Sequence, residues 1–345
     1  MENKSAVLTA VQKIEMRPAP MPEPKPDEVL IRLEYCGVCG SDVHFFEDGY
    51  IGKRYATFPM VLGHEAAGTV VSAGSQVHDL KEGDRVAIEP GIPCGHCEYC
   101  KEGRYNLCRD LVFLSTPPYD GVLSRYITHP AHLSHKLPEQ VSLLEGSLIE
   151  PLAVGMHAAR LGNICSPKTA VILGAGCIGL TTLLACRQMG ASKIIISDLY
   201  ENRLKKALEL GADHVVNASE GDPVEQILAL TGGAGADVVF ESAGNKHTAY
   251  QTSLLVRNGG TIVLVGNIIG DITFNFRNMT LKEADLKTVW RYRNVYPAAI
   301  DSIAKGTIPV KDIVTRIYDF DESQQAFETA MNDKQNVVKA VIHIE

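Results

Sequence analysis

Residues 170–198 read AVILGAGCIGLTTLLACRQMGASKIIISD, and this stretch restricts the chain more than any other. Ala170, Val171, Ile172 and Leu173 form an apolar run with the character of a buried strand, which is followed at once by the turn Gly174-Ala-Gly176-Cys-Ile-Gly179. An apolar helical pattern continues to about Gly190, and a second apolar run, 193–197, closes on Asp198. Glycines in the G-x-G-x-x-G spacing permit a tight turn, close backbone approach to a pyrophosphate and close packing of helix on strand. The phosphates then sit at the helix N-terminus, where unpaired N–H groups and the helix dipole favour an anion. Asp198 lies 22 residues after Gly176, where a carboxylate can accept hydrogen bonds from the adenosine ribose and would repel a 2′-phosphate. The order strand, turn, helix, strand, acid therefore predicts a parallel α/β nucleotide-binding domain that takes NAD; the alternative is the same glycine-rich turn in a sheet that binds no nucleotide.

A length of 345 residues allows about two domains, and 45% hydrophobic residues supply cores for both. The formal net charge of -8 argues against nucleic acid or an anionic membrane as partner. The segment MENKSAVLTA lacks the apolar core of a secretory signal, and no apolar run approaches the roughly 20 residues that span a bilayer, so a soluble, cytoplasmic chain is expected. In that setting the nine cysteines call for an explanation other than disulfides.

Up to about Gly91, short apolar segments such as 28–33, 68–71 and 84–88 alternate with Gly, Pro and Asp, which predicts a small, mostly antiparallel barrel-like domain without a helix of ordinary length. Within it, Cys39, Ser41 and His44 fall close together, and Gly63-His64-Glu65 follows about twenty-five residues later. Cys, His and carboxylate are zinc ligands when they converge, and a catalytic zinc keeps three protein ligands and an open position. Spacing leaves open that each is a separately buried thiol or loop histidine. Cys94-x2-Cys97-x2-Cys100-x7-Cys108 is more specific: four thiols on one glycine-containing loop suit a closed tetrahedral zinc, which has no room for substrate and is therefore structural. His96, inside the loop, is read as a bystander. From 141 to 161 the period turns helical through Leu144, Leu148, Leu152 and Met156, with Pro151 interrupting directly after Glu150. A carboxylate at an apolar-flanked helix break is either a buried group in need of a cation or an exposed acid on a kinked connector.

Beyond 198, helices at 201–210, 223–230 and 246–256 alternate with strands at 214–217, 237–240 and 261–265, as a parallel sheet with crossovers requires. Thr231-Gly-Gly-Ala-Gly235 lacks the ending of a phosphate loop and reads as a flexible connection. Gly244, Gly266 and Asn267 follow strands, at the edge where such sheets bind ligands. Strands at 285–290, 314–318 and 337–344 and helices at 297–305 and 322–331 complete a tail expected to return to the first domain.

Taken together, the residues resemble the zinc-dependent medium-chain dehydrogenase family over essentially the whole chain. Gly63-His64-Glu65-x2-Gly68-x5-Gly74-x2-Val77 matches its zinc signature at every fixed position. Stretches such as Cys39-Gly-Ser-Asp-Val-His44, Pro59-Met-Val-Leu-Gly-His-Glu65, Gly83-Asp-Arg-Val-Ala-Ile-Glu-Pro90, Gly103-Arg-Tyr-Asn106, Ser115-Thr-Pro-Pro118, Leu148-Ile-Glu-Pro-Leu152 and Arg291-Tyr292 resemble the sorbitol dehydrogenase branch. The resemblance implies a GroES-like β-barrel catalytic domain, 1–153 and 294–345, into which a Rossmann doubly wound parallel-sheet domain, 154–293, is inserted, with the active-site cleft between them. It also implies a homotetramer with two zinc ions per subunit.

Carried onto this chain, the resemblance places catalytic zinc on Cys39, His64 and Glu65, with Glu150 as a fourth ligand or as the partner of a water, and structural zinc on Cys94, Cys97, Cys100 and Cys108. It implies NAD contacts at Gly174, Gly176, Ile178, Gly179, Asp198, Arg203, Gly244, Val265, Gly266, Asn267 and Arg291, and substrate contacts at Phe45, Phe113, Thr116, Arg291 and Tyr292. The implied reaction is oxidation of a secondary hydroxyl of a polyol to the ketose by hydride transfer to NAD, with Ser41 and His44 relaying the proton to solvent. Phe45 stands where the branch often has a tyrosine, which removes one hydrogen bond to a polyol hydroxyl. A vicinal diol or L-threonine as substrate is the alternative within the family, and a non-enzymatic NAD-binding protein is the alternative outside it.

Overall fold

The computed structural model describes residues 2–345. The chain divides into two compact units: one comprises the residues up to Glu150 with Tyr296–Gly306 and Val314–Glu345, the other Pro151–Val295 with Thr307–Ile313. Residues 307–313, expected with the barrel, belong to the second unit.

In the first unit, one mixed sheet runs in the order Ser134–Lys136, Arg85–Ile88, Glu65–Ala73, Glu28–Gly37, Ala340–His343, Arg316–Asp319, and Tyr126–Pro130 also pairs with Glu28–Gly37. All of its pairings are antiparallel except the last, between Arg316–Asp319 and Ala340–His343. A three-stranded sheet of Lys13–Ala19, Asn3–Ala10 and Met60–Val61 completes the framework. The core between these strands holds Leu8, Ile31, Leu33, Phe46, Leu62, Ile88 and Phe327, each almost wholly buried. Contrary to the sequence reading, this unit contains a helix, Gly40–Asp48, which Cys39 caps in extended conformation and Gly49 ends in the left-handed region. Asp42, Val43, Phe45 and Phe46 are its buried residues, so packing rather than propensity holds it.

The helical pattern after 141 resolves into two helices. Leu143–Ser147 starts from a reciprocal capping box between Ser142 and Glu145, and Ile149–Leu161 follows. The break falls at Leu148 rather than at Pro151, which sits in the first turn of the second helix, where no intrahelical N–H bond is required.

The second unit is a six-stranded parallel sheet in the order His214–Asn217, Lys193–Asp198, Thr169–Leu173, Ala236–Glu241, Val256–Leu264, Asp285–Thr288. Val171, Ile172, Ile194, Ile195, Ile196, Val238 and Val239 are buried, as strands covered on both faces require. The helices Cys177–Gln188, Glu201–Glu209, Pro223–Leu230 and Lys246–Leu255 alternate with these strands, and a further helix, Phe276–Lys282, lies where none was read from the sequence. No helix among the described residues is long and apolar enough to cross a membrane.

Candidate metal centre and nucleotide site

Cys39 enters the site because it caps the helix Gly40–Asp48, Glu65 because it opens the strand Glu65–Ala73, and His64 because it immediately precedes that strand. One ligand atom from each of Cys39, His64 and Glu65 lies within 4.8 Å of the other two. His64 and Glu65 are buried and Cys39 is half-buried, so a thiol, an imidazole and a carboxyl converge in a largely dry setting. The alternative of separately buried groups is not the arrangement this chain adopts. Glu150 is buried in the first turn of Ile149–Leu161 and stands outside that set of three.

Two residues that sequence reading passed over hold these donors. Asp42 is fully buried, and its Oδ2 lies 3.2 Å from Nδ1 of His64. Such a carboxylate orients the ring so that its other nitrogen can face a metal. Burial works against charge on the His64 ring, but Asp42 and Cys39 outweigh it and raise the imidazole pKa well above its ordinary value. The cluster thus attracts positive charge, and with its thiol, imidazole and carboxyl donors it fits a zinc ion. Lys339 is also buried; its Nζ donates to Oε2 of Glu65 and, at 3.0 Å, to the carbonyl of Val38. Asp42 was visible inside the motif that begins at Cys39. Lys339 left only the weak signal of a lysine interrupting an apolar run, 337–344.

Around the centre, Ser41 Oγ donates to Cys39 Sγ at 3.3 Å. The His44 side chain is 42% exposed with Nδ1 4.0 Å from Asp48 Oδ2, a position open to solvent. The ring of Phe113 lies 5.4 Å from that of His64, and Thr116 follows in the same loop. Phe45 is 2% exposed among the apolar residues of the barrel core, which places its ring in packing contacts.

The four-cysteine loop is built as its spacing suggested. Cys94, Cys97, Cys100 and Cys108 have sulfurs within 4.8 Å of one another, with Cys94 and Cys97 3.9 Å and 3.5 Å from Cys100. The backbone N–H of Cys100 pulls the Cys97 thiol down to about 7, while burial lifts Cys100 to about 12 and raises Cys108. These four free thiols could hold a structural zinc. His96 is exposed and its Nδ1–H donates to the carbonyl of Cys94 at 2.8 Å.

In the second unit, Gly174 has φ 103° and the turn it begins leads to Gly176, the residue before the helix Cys177–Gln188. A Cβ on Gly179 would lie 1.9 Å from the carbonyl of Gly174, so only glycine permits this approach of helix to strand. The helix begins at Gly176 without a side-chain cap, and its N-terminus is the end that favours an anion. Ile178 lies in its first turn. Asp198 Oδ2 accepts from the Ala175 N–H at 2.7 Å and Oδ1 from Tyr200 N–H at 3.0 Å, with Arg203 Nη1 4.0 Å away. The acid therefore stands against the glycine turn, where a nucleotide ribose would lie.

Gly244, Val265, Gly266 and Asn267 are brought together by Glu241, the last residue of the strand Ala236–Glu241. The Glu241 carbonyl accepts from the N–H groups of Val265 and Gly266 at 2.8 and 2.9 Å. Its Oε1 accepts from the Ala243 N–H and the Thr248 hydroxyl, and burial raises its pKa. Arg291 has φ 55° with its guanidinium 5.0 Å from the Trp290 ring centre, and Tyr292 is buried.

Comparison with known proteins identifies the family. The alcohol dehydrogenase GroES-like domain model matches residues 25–139 and the zinc-binding dehydrogenase model matches residues 177–305. The zinc-type alcohol dehydrogenase-like protein YdjJ of Escherichia coli strain K12 is 47% identical, over 100% of this chain and 99% of its own. Sorbitol dehydrogenase of Bacillus subtilis strain 168 is 39% identical, over 99% of this chain and 97% of its own. A zinc-binding dehydrogenase of Sinorhizobium meliloti 1021, solved bound to NADP, superimposes with a TM-score of 0.91 at 32% identity, over 100% of both chains. With a set of potential metal ligands in a GroES-like unit and a glycine turn in a Rossmann unit, the chain belongs to the zinc-dependent medium-chain dehydrogenases, oxidoreductases that work with zinc and a nicotinamide dinucleotide.

Proposed function

We propose that this enzyme oxidises a secondary hydroxyl of a sugar alcohol, of the sorbitol, xylitol, galactitol or L-iditol type, to the ketose with NAD as acceptor. The observation that carries the proposal is the convergence of Cys39, His64 and Glu65 beside the loop bearing Phe113 and Thr116, together with likeness to a sorbitol dehydrogenase over nearly the whole chain. When bound, zinc supplies a Lewis acid at the substrate hydroxyl and NAD supplies the hydride acceptor.

Cys39, His64 and Glu65 hold the metal, and Glu150 adds a second carboxylate from the start of its helix. Ser41 accepts the substrate proton and His44, open to solvent, releases it, since charge must leave as the carbonyl forms. Phe113 and Thr116 shape the substrate position and exclude water. Arg291 and Tyr292 contribute polar contacts to cofactor and hydroxyls. Asp198 accepts from the ribose hydroxyls and selects NAD over NADP, while Gly174, Gly176, Ile178 and Gly179 admit the pyrophosphate. Cys94, Cys97, Cys100 and Cys108 hold a structural zinc. The active form is a homotetramer; Asp285–Thr288 ends the strand order of the parallel sheet, and Leu286 at 39% and Trp290 at 48% exposure give that edge an apolar surface suited to a second copy.

The test is NAD reduction by the zinc-replete enzyme with sorbitol, xylitol, galactitol, L-iditol, ribitol, 2,3-butanediol and L-threonine. Turnover confined to the polyols is expected, lost on chelation while NAD binding persists. Turnover only with butanediol or threonine would overturn the substrate class, and turnover without metal would overturn the role of Cys39, His64 and Glu65.

A further inference from the structure

Ser115 is 2% exposed and has φ 61°, a backbone region that disfavours any residue with a Cβ. Its hydroxyl is bonded on both sides. Oγ donates to Asp42 Oδ1 at 2.6 Å and accepts the Gly63 N–H at 3.0 Å. Because the Gly63 group is a donor, the single hydroxyl proton is committed to Asp42. Gly63 is the residue that leads into His64, and the other oxygen of Asp42 faces the His64 ring at 3.2 Å. One hydroxyl thus grips both the backbone entering His64 and the carboxylate set against its imidazole.

The surrounding loop has separate anchors. Ser115 N–H donates to the Asp120 carbonyl, Gly121 N–H to Val61, and Val122 N–H to Gly63. The path of the loop therefore does not depend on the Ser115 hydroxyl. We propose that Ser115 is a positioning residue that sets how His64 presents itself to the metal, and that through it the loop carrying Phe113 and Thr116 is tied to the metal centre. This rests on the reading of Cys39, His64 and Glu65 as zinc ligands.

Two substitutions separate this role from that of a turn residue. Ser115→Gly removes the hydroxyl but suits φ 61°, which offsets part of the cost of leaving Asp42 Oδ1 and the Gly63 N–H without it. Ser115→Ala removes only the hydroxyl. Metal retention is read by titrating each protein with a competing chelator, and Cys39→Ser identifies the zinc held at the catalytic site by its absence. Visible spectra of the cobalt-exchanged proteins, taken as differences from cobalt-exchanged Cys39→Ser, report the ligand field at that site. Both Ser115 variants are expected to yield this zinc about tenfold more readily and to shift the cobalt bands. Ser115→Gly should do so while melting above Ser115→Ala, which loses the same bonds and keeps the strained φ. Wild-type metal retention and cobalt bands in Ser115→Gly overturn the inference, provided that Cys39→Ser loses one zinc. Should Cys39→Ser lose none, the zinc reading itself fails and this inference falls with it.

Discussion

Both carboxylate oxygens of Asp198 are committed to backbone N–H groups, one in the glycine turn and one at Tyr200. Asp198→Ala therefore loosens the turn for any dinucleotide, but only the lost charge discriminates between NAD and NADP. The ratio of kcat/KM for NAD to that for NADP is expected to fall by about tenfold or more, given the strength of charged hydrogen bonds; an unchanged ratio would contradict the ribose role. His129 makes a pH prediction. It is buried with Nε2–H on the Glu89 carbonyl at 3.1 Å, and burial pushes its pKa from 6.5 down to about 4. The unfolded chain thus binds a proton at His129 that the folded chain refuses, so stability is full above pH 6.5 and lost as the pH falls toward 4. The loss between pH 7 and pH 5 is about 2 kcal/mol, read from urea midpoints, and His129→Gln should flatten that slope; a variant with the wild-type slope would place the acid sensitivity elsewhere. Individual ligands such as Cys39 and His64 were legible because their residue types are rare and their motif is specific. Asp42 lay in view inside that motif, but its pairing with Ser115 did not, because nothing in sequence spacing announces which hydroxyl will back a carboxylate across 73 residues.

Among the elements, the parallel strands were the easiest to foresee. Runs such as Ile194, Ile195 and Ile196 are β-branched, continuous and bounded by turn residues, so burial on both faces leaves its mark directly. The helix Gly40–Asp48 was missed for the opposite reason. Glycine, serine, aspartate, valine and histidine are weak helix formers, and the element is held by its buried face and by Gly49 at its end. The four-cysteine loop is legible but contains only short helical pieces, Glu98–Lys101 and Tyr105–Leu107, so metal ligation must supply much of its order. Cys100→Ser is accordingly expected to reduce the zinc content from two ions per subunit to one and to lower the melting temperature by several degrees. Normal zinc content and melting would remove the structural role.

At the scale of the whole molecule, the alternation of strand and helix patterns between 170 and 290 conveyed the second unit almost complete. The first unit was harder, since its sheet joins strands that local patterns cannot pair: Ala340–His343 lies against Glu28–Gly37, and Lys339 meets Glu65 across 274 residues. This pairing also sets an order of events at the ribosome. Domains commonly fold as they emerge, N-terminal first. Here the sheet of the first unit cannot be completed until Ala340–His343 has been made, after the whole parallel sheet of the nucleotide unit. The metal-binding half is begun first and finished last, so Glu65 gains its Lys339 partner only after both units have been made.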